Sequence, residues 1–329
     1  MQDISKQVGN LLDSAINSLP IPERPASLYD PIRYIIDLGG KRLRPMLLLY
    51  TAGLCGADPR GALPSALAVE LLHNFTLIHD DMMDNATTRR GKPTVHVKWD
   101  DATAILSGDV MFVLAMKQIA AQGKRTGLSG DYNTKLMQRF LDAVQTVCDG
   151  QAVDMDFEQR DDVKLSEYLE MIGAKTAALI SCSMELGAIT AGVNDSMVHQ
   201  CSEIGRHAGL AFQIQDDLLD AIGDASKFGK KAGGDIAEGK KTWLTILALE
   251  RADDTDRLLL RQILGKRDTN ESDILNVIRI YNDLEVIHEA IKAIDDHYDK
   301  ALRILDQFEK SAYKEEIKGL LDKLKVRDY

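Results

Sequence analysis

Two short acidic runs are the residues most able to do chemistry: Asp80-Asp81-Met82-Met83-Asp84 and Asp216-Asp217-Leu218-Leu219-Asp220. On a helix each residue advances by about 100°, so the three carboxylates of either run fall within an arc of about 100°. Both runs lie in apolar surroundings, Thr76-Leu77-Ile78 before the first and Ala211-Phe212-Gln213-Ile214 before the second. Clustered carboxylates repel one another and resist desolvation, so a half-buried cluster calls for a counter-charge. Mg2+ suits it, because it takes oxygen ligands and is commonly held by one or two carboxylates together with phosphate oxygens. One such run reads most simply as a solvated helix face. Two copies, each inside an apolar helix, do not.

Basic residues accompany both runs. Gly39-Gly40-Lys41-Arg42-Leu43-Arg44-Pro45 forms a turn before a helix start, where backbone N–H groups and cationic side chains suit an anion. Arg89-Arg90-Gly91-Lys92-Pro93 follows the first run, and Lys230 and Lys240 follow the second. Each cluster alone is ordinary surface charge. In this order, beside two acidic runs, they suit the phosphates of a diphosphate gripped through bridging metal ions. The Lys- and Gly-rich stretch around Lys230 could close as a lid over such a site. His73 stands two helical turns before Asp80 and shares its face, within reach of a phosphate. Gln213, one turn before Asp216, the pair Lys175-Thr176, and Gln151 with Asp154 are further polar groups inside apolar helices. Such groups line a cavity or form a buried structural network.

The elements that must position these residues read as helices almost throughout. Asp30-Pro31 has the form of an N-cap and first helical position, with Gly39-Gly40 as the stop. Pro45 opens a second helix ending near Gly56, and Pro64 opens a longer one. Leu67, Leu71, Phe75 and Ile78 recur there at spacings of three and four as a buried stripe. The periodicity predicts further helices over 100–121, 133–158, 165–191, 196–221, 239–251 and much of 254–325. Loops are predicted at 85–98, 121–132 and 222–238. No segment alternates with strand period, and no linker divides the chain, so one helical domain over 1–329 is expected.

A net charge of −11 argues against a general nucleic-acid binder, which needs a basic footprint. Cys55, Cys148, Cys182 and Cys201 are too scattered for a metal site and read as free thiols. The first residues, Met1-Gln-Asp-Ile-Ser-Lys, lack the apolar run of a signal peptide, and no stretch reads as about 18 consecutive apolar residues. A cytoplasmic protein without a transmembrane segment is therefore expected.

With these residues assembled, the chain resembles the trans-isoprenyl diphosphate synthase family, which includes farnesyl, geranylgeranyl and longer polyprenyl diphosphate synthases. The resemblance covers about residues 30 to 250. It rests on GGKRLRP (39–45), ELLHNFTLIHDDMMDNATTRRGKPTVH (70–96), GD (108–109), GQAVD (150–154), KT (175–176), FQIQDDLLD (212–220) and FGKKAGGDIAEGKKT (228–242). It implies an all-α fold, a single large helical bundle around a deep central cavity, acting as a homodimer. It implies a prenyltransferase that joins isopentenyl diphosphate to an allylic diphosphate by ionisation, condensation and elimination, using Mg2+, with three ions when diphosphate is bound. By motif, Gly40, Lys41, Arg44, His73 and Arg90 would bind isopentenyl diphosphate. Arg89, Lys175, Thr176, Gln213, Lys230 and Lys240 would surround the allylic diphosphate. Of these, Lys175, Thr176, Gln213 and Lys230 would serve the ionisation. Asp80, Asp84 and Asp216 would ligate metal directly; Asp81, Asp217 and Asp220 would complete the acidic shells, partly through water.

In the family, residues four and five positions before the first acidic motif often set the floor of the product tunnel. Here they are Thr76 and Phe75. The aromatic resembles short-chain enzymes, so a C15 product is expected, with C20 next. Helix geometry does not derive this, since it turns Phe75 well away from the centre of the acidic arc. Class I terpene cyclases share the helices, Mg2+ and one acidic motif, but typically replace the second. The intact second motif and Lys41, Arg44 and Arg90 disfavour that reading. A non-catalytic subunit of a heteromeric synthase usually lacks motif aspartates, and all six are present. A plain helical scaffold leaves the charges unexplained.

Overall fold

The computed structural model describes residues 4–125, 130–223, 233–266 and 268–325. Lys230, most of the loop expected at 222–238, and part of that at 121–132 lie outside them. Among the described residues the chain is helical apart from one two-stranded ribbon. Two compact units emerge, each assembled from separated stretches. The first comprises 1–144, 182–202 and 309–317; the second comprises 145–181, 203–308 and 318–329.

In the first unit, α1 (Ile4–Asn17), α2 (Ala26–Asp37) and α3 (Leu43–Leu54) precede a short 3-10 turn (Pro59–Ala62) and α4 (Leu63–Met83). The ribbon follows as β1 (Thr88–Arg89) and β2 (Lys92–Pro93), then α5 (Val95–Lys98) and α6 (Asp101–Arg125). The stripe predicted on α4 is the buried one: Leu67, Leu71 and Ile78 are in the core and Phe75 is half-buried. Its principal partner is α6, with α3 on another side. Close approach of α6 needs Gly108, because a Cβ there would stand 2.3 Å from His79 Nε2.

The expected start of α2 is corrected. It begins at Ala26, and Pro31 sits inside it rather than at its first position. The missing N–H costs the helix one hydrogen bond. Burial of Ile32, Ile35 and Ile36 on the same helix outweighs that loss. Similarly α3 starts at Leu43, two residues before Pro45, because Arg42 adopts a left-handed N-cap with φ 48°.

Three long elements follow: α7 (Gly130–Glu158); the run α8 (Leu165–Ile172), π-turn (Gly173–Ala177) and α9 (Ala178–Thr190); and α10 (Asp195–Ile222). The rest is α11 (Gly234–Glu238), α12 (Trp243–Arg251), α13 (Asp254–Leu264), α14 (Glu271–Asp283), α15 (Val286–Leu305) and α16 (Ala312–Lys325). In the second unit, α12 packs against α8 and α15, and α14 against α13 and α15. The sequence pattern gave 165–191 as one uninterrupted helix; the π-turn within it carries Lys175 and Thr176.

Three helical stretches are long and apolar enough to cross a membrane by length and composition: Pro59–Met83, Asp101–Gly123 and Leu165–Thr190. That departs from the expectation that no stretch would qualify. Within the apolar windows, 67%, 39% and 67% of residues are buried inside the protein.

Candidate active site

In the first unit, the acidic motif ends α4. Asp80 is half-buried, Asp81 buried, and Asp84 exposed as the C-cap. Asn85 at φ 50° and the bonds Ala86 N–H to Asp81 O (2.9 Å) and Asn85 N–H to Met82 O (3.2 Å) close the helix in a Schellman turn. The chain then reverses through the ribbon, where Thr88 pairs with Pro93 and Arg89 with Lys92. Arg90 and Gly91, at φ 52° and 72°, supply the two left-handed positions of its tight turn. This hairpin returns Arg89 to the acidic motif. Its guanidinium donates from Nε to both oxygens of Asp81 at 2.8 Å and from Nη2 at 2.7 Å. Burial pushes the Asp81 carboxyl up, and Arg89 opposes that shift. Asp81, expected in the acidic shell, therefore orients an arginine in this structure.

The glycine turn after α2 meets the same hairpin. Arg90 Nη1 donates to Gly39 O, and a Cβ on Gly40 would lie 2.6 Å from Arg90 Nη2. Gly40 has φ 137°, so only glycine combines that backbone with that contact. Arg42 is held by buried Glu70, and its Nη2 donates to Ile36 O at 2.7 Å. Asn74 Nδ2 donates to Glu70 Oε1 at 2.9 Å. Arg44 Nη1 lies 3.3 Å from His73 Nε2; the guanidinium is the donor, which puts the imidazole proton on Nδ1. Burial lowers Arg44 to about 10. His73 is held well below the usual histidine range, first by burial and then by Arg44, Arg90, Arg89 and Arg42. It is a neutral imidazole amid four guanidinium groups. Lys41 is exposed at the tip of the same turn.

One turn before the acidic motif on α4, Thr76 Oγ1 donates to His73 O at 2.8 Å. Phe75 stacks edge-on against His79 with centroids 4.7 Å apart, and lies 6.0 Å from Phe112 of α6. Of the two expected length-setting residues, Phe75 sits on the α4 stripe and meets Phe112 of α6.

In the second unit, Asp216 is exposed, Asp217 buried and Asp220 half-buried near the end of α10. Asp217 accepts from Tyr168 Oη, from Gln213 Nε2 at 3.0 Å and from Trp243 N–H at 3.2 Å. Burial raises its pKa to about 6 against the pull of those donors. Thr176 Oγ1 donates to Gln213 Oε1 at 2.8 Å, which makes a chain from Thr176 through Gln213 to Asp217. Lys175 is paired with Asp154 at 2.5 Å. The π-turn aims this pair and is wedged between glycines. A Cβ on Gly150 would stand 2.3 Å from Lys175 N, and one on Gly209 2.5 Å from Ala177 Cα.

Asp220 Oδ2 accepts from Asp235 N–H at 2.7 Å, at the start of α11. The Asp235 carboxyl is raised to about 8, chiefly by burial and then by Asp220 and Asp217. Lys240 Nζ stands 3.8 Å from Asp235 and 3.1 Å from Glu238. Asp235, Tyr168, Glu70 and Arg42 belong to these networks and were missed as site residues. Asp235, five residues before the expected Lys240, Glu70 and Arg42 all stood inside quoted motifs and were legible there. Tyr168 carries no local signal.

Among the described residues, no three His, Cys, Asp or Glu side chains gather closely enough to hold a metal alone. The donor set nevertheless fits Mg2+. Asp80, Asp84 and Asp216 present hard carboxylate oxygens at partly or fully exposed positions, and Mg2+ completes its shell from phosphate and water.

Residues 25–281 match the polyprenyl synthetase family. The chain belongs to that family. It is 37% identical over 329 residues to a short chain isoprenyl diphosphate synthase of Methanothermobacter thermautotrophicus, covering 100% of this chain and 99% of the relative. It is 41% identical over 283 residues to a geranylgeranyl diphosphate synthase of Saccharolobus solfataricus, covering 85% of each. The crystal structure of geranylgeranyl pyrophosphate synthetase from Pyrococcus horikoshii superposes with a TM-score of 0.92 at 37% identity, over 98% of this chain and 97% of that one. The fold is the all-α isoprenoid synthase fold, and the protein is a prenyltransferase. Membership in the family carries dependence on a divalent metal.

Proposed function

We propose that this prenyltransferase condenses isopentenyl diphosphate with an allylic diphosphate, using Mg2+, and stops at a short-chain product. The observation that carries this reading is the basic cluster beside the glycine turn: Arg44 Nη1 stands 3.3 Å from His73 Nε2, two turns along α4 from Asp80, and Arg90 donates to Gly39 O. Arg42 and Arg89 are balanced by Glu70 and Asp81, whereas Arg44 meets the neutral His73 and Arg90 a backbone carbonyl, and a diphosphate supplies the anion that these two suit.

In this reading Gly40, Lys41, Arg44, His73 and Arg90 seat isopentenyl diphosphate. Asp80, Asp84 and Asp216 serve as Mg2+ ligands, with three ions when diphosphate is bound, as the family's motifs imply. The metal supplies neutralisation of the charge that develops on the departing diphosphate. Arg89, kept in place by Asp81, and Lys175 and Lys240 add fixed positive charge beside it. The Thr176 hydroxyl is oriented by Gln213 and faces the developing allylic cation with its oxygen dipole. Holding both substrates in place makes the attack of the isopentenyl double bond effectively intramolecular. Among the described residues none is assigned as a dedicated base, so the released diphosphate takes the proton. Lys230 keeps its expected part in the allylic site on the strength of its motif.

Phe75 argues for a C15 limit, whereas relatives named geranylgeranyl diphosphate synthase weigh for C20. The proposal is a product within that range. A homodimer is supported by α6, which exposes Ile105 (46%), Leu106 (58%) and Val113 (48%) within an arc of about 100°. The three membrane-length helices are read as core and interface helices of one synthase domain spanning 1–329. The free cysteines fit a reducing, cytoplasmic setting.

The test is labelled isopentenyl diphosphate with Mg2+ and dimethylallyl, geranyl or farnesyl diphosphate, with products separated by length. Incorporation that ends at C15 or C20 is the expected result. Allylic diphosphate consumed without incorporation of label would instead mark a cyclase.

A further inference from the structure

The hairpin that delivers Arg89 and Arg90 is tied down at a place the reaction does not touch. Tyr34 of α2 donates from Oη to Pro93 O at 2.7 Å. Pro93 pairs with Thr88 across the ribbon, so this carbonyl belongs to the strand that leads out of the Arg90-Gly91 turn. The Tyr34 ring is itself fixed. Lys98 Nζ lies 3.6 Å above its centroid, and the Trp99 ring meets it edge-on at 5.3 Å. Thr94 Oγ1 donates to Ala86 O at 2.8 Å and ties the base of the hairpin to the Schellman turn.

The two arginines depend on this tether unequally. Arg89 has its own anchor in the multiple bonds to buried Asp81. Arg90 reaches only the carbonyl of Gly39, on the turn that follows α2. The α2 segment and its turn therefore hold the hairpin at two points, Tyr34 on Pro93 and Gly39 on Arg90. Releasing the first lets the β2 strand and the left-handed turn drift relative to Gly40, where clearance is least.

We propose that Tyr34 is a positioning residue for isopentenyl diphosphate: its hydroxyl on Pro93 O sets Arg90 against the Gly39-Gly40 turn. This rests on the reading above that Arg90 binds that substrate. It predicts an asymmetry that general loosening of the fold would not give. Tyr34→Phe keeps the ring, the ammonium above it and the Trp99 contact, and removes one hydrogen bond. KM for isopentenyl diphosphate should rise about three- to tenfold, the range one hydrogen bond gives. KM for the allylic substrate, kcat and Tm should stay within about twofold, or a degree or two, of the parent.

The experiment is a double-mutant cycle of Tyr34→Phe and Arg90→Lys, read as isopentenyl diphosphate affinity from steady-state kinetics and from calorimetric titration without allylic substrate. The expected result is a selective loss in Tyr34→Phe that disappears in the Arg90→Lys background. Equal changes in both KM values, an additive double variant, or a lower Tm with unchanged affinity would overturn the positioning role. Failure of the parent enzyme to incorporate isopentenyl diphosphate would instead refute the proposed function, so the two failures are distinct.

Discussion

At the residue scale, the two motifs contain aspartates of two kinds. Asp80 is half-buried and Asp84 and Asp216 are exposed, the positions the proposal gives to metal ligands, whereas Asp81 and Asp217 are buried and bonded to protein donors. Substitutions should separate them. Asp80→Ala should lower kcat about a hundred- to thousandfold, the size of a lost electrostatic stabiliser, with an unchanged circular dichroism spectrum. Asp81→Asn leaves the largely buried Arg89 without its counter-charge and should cost about 3 kcal/mol in urea unfolding. Phe75→Ala opens the space against His79 and Phe112 and should shift products to longer chains in the same length-resolved assay. An unchanged product spectrum would show that Phe75 is core packing. The six aspartates were legible because type and spacing repeat. Their division into direct ligands and shell came only with the family resemblance, and the protein partners of the buried ones, Arg89, Tyr168 and Trp243, were not legible because they reach them from up to 49 residues away.

At the scale of elements, helix periodicity located the elements well and their local irregularities poorly. Pro31 lies inside α2 because burial of three isoleucines decided the outcome against proline's local preference. The π-turn at 173–177 is packed closely against two glycines on neighbouring helices, a long-range contact that no window of sequence contains. Gly150→Ala should push Lys175 out of line. The expected result is a loss of about 1–3 kcal/mol, read from the urea midpoint, together with a lower kcat. Between α10 and α15, His207 Nδ1 and His297 Nδ1 lie 2.9 Å apart. Burial first lowers both to about 4, with Arg206 adding to it for His207 and His207 itself for His297. In the unfolded chain they titrate near 6.5. As pH falls through 6.5, the unfolded chain binds protons that the folded protein refuses, so stability declines until about pH 4. Asp217 and Asp235, raised to about 6 and about 8, contribute in the opposite sense over the same window, so the histidine share is read as a difference: calorimetry from pH 7 to 4.5 should show His297→Gln losing less stability on acidification than the parent.

At the scale of the whole molecule, the all-α class and the family were readable from motifs that cover about 30 to 250, and the family match at 25–281 agrees. The assembly of each compact unit from three separated stretches was not readable, since it is set by contacts between residues far apart in sequence. Nor was the apolar face of α6 singled out, because an exposed stripe and a buried one have the same periodicity. If that face joins two copies, Leu106→Glu should yield a monomer in sedimentation velocity where the parent is a dimer. The proposed function requires both acidic motifs and Mg2+ for ionisation of the allylic diphosphate. The most direct measurement is single-turnover release of diphosphate from geranyl diphosphate in the presence of isopentenyl diphosphate, with Mg2+ and with chelator, for the parent, Asp80→Asn, Asp216→Asn and the double variant. The expected result is no release without metal, at least about a hundredfold loss in either single variant, and little further loss in the double, as for groups that work as one unit. Near-parental release from either single variant, or losses that simply multiply, would contradict it.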